Sequence, residues 1–212
     1  MSQEKEWESI WKERRSPLKK MVDLGREVYN LFFRRILKKY LNKDSEMVEL
    51  GCGTATLGLS LCQDITSYTG IDISKNALLI SKNNAKMQGI SNAEFLIDDC
   101  TDLKIKKKFD VVWSQGLIEH FEKPIDIVKE HLKVTKKNGY SVISVPYKFS
   151  YMIIWYWITR PRLLRRFWPW TEQIFFSGKD LKKIGIEIGK PFKVKLIQPF
   201  ILGVILLVIK NE

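Results

Sequence analysis

Val48-Glu49-Leu50-Gly51-Cys52-Gly53-Thr54-Ala55 is the stretch on which the reading of this chain turns. A short apolar run, Met47–Leu50, enters two glycines one residue apart, and a helical pattern begins at about residue 56. Glycines let the backbone turn sharply and let a ligand approach the main chain, while the helix beyond offers N–H groups that have no partner within it. Nineteen residues past Gly53, Asp72 closes a second apolar run in Gly70-Ile71-Asp72-Ile73. A carboxylate at the tip of a second strand can accept both hydroxyls of a ribose. Glycine pair and acid, on strand, turn, helix and strand, therefore predict a nucleotide-type site.

Outward from this unit the chain keeps alternating. Met47–Leu50, Tyr68–Ile73, Ala93–Ile97, Phe109–Trp113 and Tyr140–Val145 read as strands, with helical patterns at about 56–63, 75–88 and 123–135 between them. Strands alternating with helices imply right-handed crossovers and a parallel sheet covered on both faces, so the class is α/β. Before this core, Pro17 to Leu41 carries apolar residues at helical spacing among basic ones, and one long amphipathic helix or two short ones are expected. After Pro146 the pattern breaks. Residues 147–176 hold 11 of the 25 aromatics, interleaved with Arg160, Arg162, Arg165 and Arg166, and read as an insert. Helical alternation returns at Gly178–Ile186, and Phe192–Gln198 and Gly203–Ile209 then form two apolar runs across Pro199. The stretch from Leu196 to Ile209 is about 14 residues long and interrupted, short of the ~20 that a membrane span needs, and a buried terminal hairpin is expected. The domains are thus 1–43, a basic amphipathic helical segment, and 44–212, the main domain with its 147–176 insert.

The 212 residues, 45% hydrophobic and 28% charged, suffice for one core and exclude disorder, collagen-like repeats and coiled coil. Net charge is +12, divided as +6 over residues 1–43, −2 over 44–146 and +8 over 147–212. A balanced middle between basic ends points to a catalytic or binding core whose accessories meet something anionic, or to a merely solvated lysine-rich surface. Cys52, Cys62 and Cys100 form no C-x-x-C pair, which fits a reducing compartment and three small buried side chains. The charged, non-apolar start of the chain gives no secretion signal, and a cytoplasmic location is expected, with peripheral membrane contact through 147–176.

These residues resemble the class I S-adenosylmethionine-dependent methyltransferases, in their small-molecule, type 11-like form. Glu49, Gly51 and Gly53 match the family's acid followed by G-x-G-x-G, with Ala55 in place of the last glycine. Asp72 matches the ribose acid, and Asp99, in Phe95-Leu96-Ile97-Asp98-Asp99-Cys100, the acid that meets the adenine amino group. Phe109 to Phe121 matches the fourth-strand motif, and Val134–Gly139 the turn into strand five. The resemblance implies S-adenosylmethionine as cofactor, along Glu49, Gly51, Cys52, Gly53, Asp72, Ile73, Asp98, Asp99, Cys100, Ser114 and Gln115. It also implies a Rossmann-like, doubly wound seven-stranded sheet of order 3-2-1-4-5-7-6, its last strand antiparallel. Nicotinamide-binding Rossmann proteins fit less well, since Thr56 stands where they need a third small residue and Glu49 has no use there.

A sulfonium brings an already activated methyl group, so such a site mainly aligns a nucleophile and, where needed, removes its proton. His120, just after strand four, is the candidate base, with a structural role as its alternative. Gly116 stands where quinone-type relatives carry a further metal-binding carboxylate, so no metal is expected, and His131 is expected on a surface. The insert is read as a pocket for a small or amphipathic, lipid-like acceptor. An RNA methyltransferase suits the charge, but Ser114-Gln115-Gly116-Leu117 is not the N-P-P-Y-like run of base-amino enzymes, so nucleic acid is not favoured. A protein methyltransferase and a non-catalytic, membrane-associated cofactor-binding module stay open.

Overall fold

The computed structural model describes residues 5, 7, 8, 29–159, 173–197 and 203–212. One seven-stranded sheet organises them. Its strands are β1 (Glu46–Leu50), β2 (Ser67–Asp72), β3 (Ala93–Ile97), β4 (Phe109–Gln115), β5 (Thr135–Pro146), β6 (Phe192–Ile197) and β7 (Val204–Lys210). The order is β3-β2-β1-β4-β5-β7-β6. β1 to β5 pair in parallel, while β7 runs antiparallel to both β5 and β6. This is the order that the family resemblance implies. The parallel strands carry continuous apolar runs because helices cover both of their faces.

The helices are α1 (Thr56–Leu61), α2 (Lys75–Met87), α3 (Pro124–Lys133), α4 (Tyr151–Thr159) and α5 (Gly178–Ile188). On one face α1, α2 and a helical stretch at 29–37 bury Phe33, Leu37, Leu57, Leu61 and Leu78 against Met47, Trp113 and Val142. On the other, α3 and α5 bury Ile127, Val128 and Leu181 against Ile143, Ile205 and Leu207. The 29–37 stretch is fixed by the Phe33 ring, 5.1 Å from that of Trp113, and by Arg34 and Lys38, both paired with Asp64. The rest of the amphipathic segment expected from Pro17, residues 17–28, lies outside the described residues.

Three expectations change in detail. The terminal hairpin forms, but only β7 is buried, because β6 is the sheet's edge and its residues stay half-buried or exposed. The insert contains a helix, α4, which its crowd of aromatics concealed. His131 is not on a surface: it is fully buried, its Nδ1 2.7 Å from the Ile127 carbonyl and its Nε2 2.8 Å from Ser114 Oγ. Helical periodicity turns residue 131 to the same side as Ile127 and Val128, and Ser114 supplies the polar partner that makes the position tenable.

Candidate functional site

The carboxyl ends of β1, β2 and β4 meet where the order of the sheet reverses, the place at which open α/β sheets bind their ligands. The glycine turn lies between β1 and α1. Gly51 and Gly53 have φ of +68° and +53°, left-handed values that strain any other residue, and a Cβ on Gly51 would stand 3.0 Å from Leu117 Cδ1 and have to push that side chain aside. Ala55 also adopts the left-handed region, at φ 54° and ψ 22°. α2 holds the turn from the side: Ser81 Oγ donates to the Gly53 carbonyl (2.7 Å) and Asn84 Nδ2 to that of Thr54 (3.1 Å).

Asp72 ends β2 with its carboxylate against this turn. Oδ2 accepts the Gly53 N–H at 2.8 Å and Oδ1 the Ser74 N–H at 2.9 Å. The side chain is buried, and burial raises its pKa against the pull of those N–H groups. Each carboxylate oxygen has a second acceptor position, so the pair can still take two hydroxyls of a diol. Glu49 lies beneath the turn, 5 % exposed, with Oε2 accepting the Tyr68 hydroxyl at 2.7 Å. Burial pushes its pKa up to about 7, with Tyr68 and the Gly58 amide opposing. The Trp113 indole N–H is a further favourable neighbour of that carboxylate, although it makes no hydrogen bond of ordinary geometry. A cation brought close to such a carboxyl would favour its anion.

The remaining residues named from the sequence divide by task. Asp98 is spent on its own loop, its Oδ1 accepting the N–H of Asp99 and its Oδ2 those of Lys104 and Ile105. Asp99 is exposed at the loop tip, with Oδ1 capping Thr101. Cys52 and Cys100 are buried, and burial pushes both thiols up, so they act as packing. Ile73 is half-buried beside Asp72, and Gln115 half-buried at the end of β4. The structure does not bring the Ser114 side chain to this edge, because alternation along β4 turns it to His131. His120 sits in the turn Ile118–His120, partly exposed, with the Trp7 ring edge-on at 5.1 Å.

Trp7 and its neighbour Glu8 were missed by sequence reasoning. Ser74 Oγ donates to Glu8 Oε2 at 2.5 Å. The start of the chain thus touches both the tip of β2 and the turn after β4, at separations in sequence that no local pattern signals. The insert closes the same edge: Lys148 N–H donates to the Phe176 carbonyl (2.9 Å) and Ile174 N–H to that of Glu119 (2.8 Å). Tyr29 and Tyr151 hydroxyls lie 2.9 Å apart, joining the 29–37 stretch to α4.

Comparison with known proteins agrees with this geometry. Residues 41–164, more than half of the chain, match the model of a methyltransferase domain family. A ubiquinone biosynthesis O-methyltransferase of Pelagibacter ubique (strain HTCC1062) is 32% identical over 102 residues, 48% of this chain and 42% of that protein. The chain spans about half, or less, of the length of the curated relatives it matches. Among solved structures, magnesium protoporphyrin IX methyltransferase from Synechocystis PCC 6803 with bound SAH superposes with a TM-score of 0.70 at 16% identity, covering 94% of this chain and 89% of that one. A SAM-dependent methyltransferase from Thermotoga maritima gives 0.69 at 18% identity, covering 94% and 97%. Their likeness to this chain is one of fold. With the family model matched across β1 to β5 and the glycine turn and acids in place, the chain belongs to the methyltransferase-domain family, the class I S-adenosylmethionine-dependent methyltransferases.

Proposed function

We propose that this chain transfers a methyl group from S-adenosylmethionine to a hydroxyl of a small acceptor with an apolar body. The observation that carries the reading is Asp72 at the tip of β2 with the glycine turn folded onto it through the Gly53 N–H. Asp72 would hold the ribose hydroxyls, Asp99 the adenine amino group, and the side-chain-free Gly51 and Gly53 would admit the amino-acid end beside Glu49. Cys52, Ile73, Asp98, Cys100 and Gln115 would shape the walls. When bound, the cofactor supplies an activated methyl group, and the chain's task is to align the acceptor, exclude water and receive a proton. His120 is the candidate to take that proton on a ring nitrogen, being partly exposed in the turn after β4.

Hydroxyl acceptors are supported by the relatives named for O-methylation in ubiquinone biosynthesis. The insert supports the apolar body. Tyr151, Ile154, Trp157 and Ile158 recur at helical spacing on one exposed face of α4, with Phe149 exposed beside them. Such a face, followed in sequence by Arg160, Arg162, Arg165 and Arg166, also suits peripheral contact with an anionic lipid surface. Among the described residues no helix is long and apolar enough to cross a membrane. Incubation with methyl-tritiated S-adenosylmethionine and 4-hexylcatechol, bulk RNA or a mixed protein extract tests the reading. Label in the catechol is expected; label only in RNA or protein contradicts it.

A further inference from the structure

Trp7 and Glu8, near the start of the chain, reach the cofactor edge, and nothing above gives them a task. Glu8 Oε2 accepts the Ser74 hydroxyl at 2.5 Å and the Asn76 N–H, at the start of α2, at 3.4 Å. Ser74 is fully buried and engaged on every side. Its Oγ also accepts the Ala77 N–H at 3.2 Å, and its own N–H donates to Asp72 Oδ1 at 2.9 Å. The other oxygen of Asp72 accepts the Gly53 N–H at 2.8 Å. An unbroken series of hydrogen bonds thus runs from Glu8 through Ser74 and Asp72 to the glycine turn. The residue before Glu8 reaches the opposite side, since the Trp7 ring lies 5.1 Å from that of His120. Consecutive residues therefore tie the tip of β2 to the turn after β4, and β1, whose end carries the glycine turn, stands between those two strands.

The tie has a cost. It brings one carboxylate up to another, and the Asp72 carboxyl, its pKa raised chiefly by burial, is raised further by the charge of Glu8. Like charges at close range oppose each other, so the benefit of the contact belongs to what Asp72 holds rather than to the fold. A carboxylate that is to accept two hydroxyls must be set in place before they arrive, and N–H groups on both of its oxygens do this for Asp72. Ser74 supplies one of those groups, and Glu8 fixes Ser74. We infer that Glu8 is a positioning residue of the cofactor site, acting through Ser74 to hold Asp72 in the orientation that takes the ribose. This rests on the cofactor reading of the edge given above, and it assigns Glu8 no contact with the cofactor itself.

The test is calorimetric titration of S-adenosylhomocysteine into the full chain, as wild type and as Glu8→Ala, Glu8→Gln, Asp72→Ala and the double variant of Glu8→Ala with Asp72→Ala. Glu8→Ala should bind about tenfold more weakly than wild type, the loss expected of one charge-assisted hydrogen bond. Glu8→Gln, whose amide oxygen still accepts from Ser74, should stay within about threefold of wild type. Without Asp72 there is nothing left to position, so adding Glu8→Ala to Asp72→Ala should change the affinity by less than about twofold. Unchanged affinity in Glu8→Ala overturns the assignment. So does a Glu8→Gln as weak as Glu8→Ala, and so does a full loss on the Asp72→Ala background, which would mean that Glu8 serves the fold or meets the cofactor directly. Failure of wild type to bind S-adenosylhomocysteine would instead overturn the cofactor reading.

Discussion

Glu49 stands where burial and function pull in opposite directions. Burial holds its pKa at about 7, so at pH 6 most molecules carry the proton. A cation at the glycine turn favours the anion, so the pKa falls on binding and the proton leaves. The sign follows: affinity for S-adenosylmethionine rises with pH up to about 7, approaching tenfold per pH unit below that point, and levels off above it. Asp72, also raised, chiefly by its burial, lies close by, and Glu49→Gln isolates the effect by flattening the profile between pH 6 and 8. Calorimetry in buffers of different protonation enthalpy would count about one proton released at pH 6; none released would refute this role. His131 works in reverse. Its pKa is pushed down to about 4 by burial, so the fold excludes a proton that the unfolded chain binds below about 6.5. Wild type should lose about 2 kcal/mol of stability relative to His131→Gln between pH 7 and 5, measured by chemical denaturation. The sequence placed Glu49, Asp72 and the glycines correctly at strand ends, because spacing alone defines those positions. It misplaced His131, since a histidine's burial depends on a partner 17 residues away on another element.

At the scale of elements, the glycine turn works because α2 braces it and β2 caps it. Gly51→Ala would force a side chain into φ +68° and towards Leu117, and should destabilise by about 1–2 kcal/mol while weakening cofactor binding. Ala55 already bears a similar conformation. There, Ala55→Gly should change stability by less than about 0.5 kcal/mol, because relief of strain is offset by a lost buried methyl and a looser unfolded chain. Thermal melts of the two variants should differ accordingly; equal losses would contradict the account. Strands β1 to β5 and their helices were legible because period-two and helical patterns are local. The N-terminal contacts of Trp7 and Glu8 were not, since they join the start of the chain to Ser74 and His120 across at least 66 residues. Nor was α4, whose sequence is apolar at nearly every position and so gives no apolar-polar alternation to read.

The whole molecule sets a nearly neutral stretch, residues 44–146 at −2, between two basic ends of +6 and +8. Both ends reach the carboxyl edge, through Trp7 on His120, Tyr29 on Tyr151, and Ile174 on Glu119. The arginines of the insert lie outside the described residues, but their charge belongs to the chain that closes this edge. Association with vesicles containing phosphatidylglycerol should therefore fall steeply as salt rises past the ~8 Å screening length of physiological solutions, while cofactor affinity changes little. Replacing Arg162, Arg165 and Arg166 with Gln, or Ile154 and Trp157 with Ser, should reduce flotation; equal binding to neutral vesicles would mean that the charge only solvates the surface. The central claim is the cofactor edge itself, and calorimetric titration of S-adenosylhomocysteine into wild type and Asp72→Ala tests it most directly. Wild type should bind one equivalent, and the variant about 10–100-fold more weakly, the loss of a charge-assisted pair of hydroxyl contacts. Unchanged affinity in Asp72→Ala, or a wild type that ignores S-adenosylhomocysteine and binds NAD, would contradict the account.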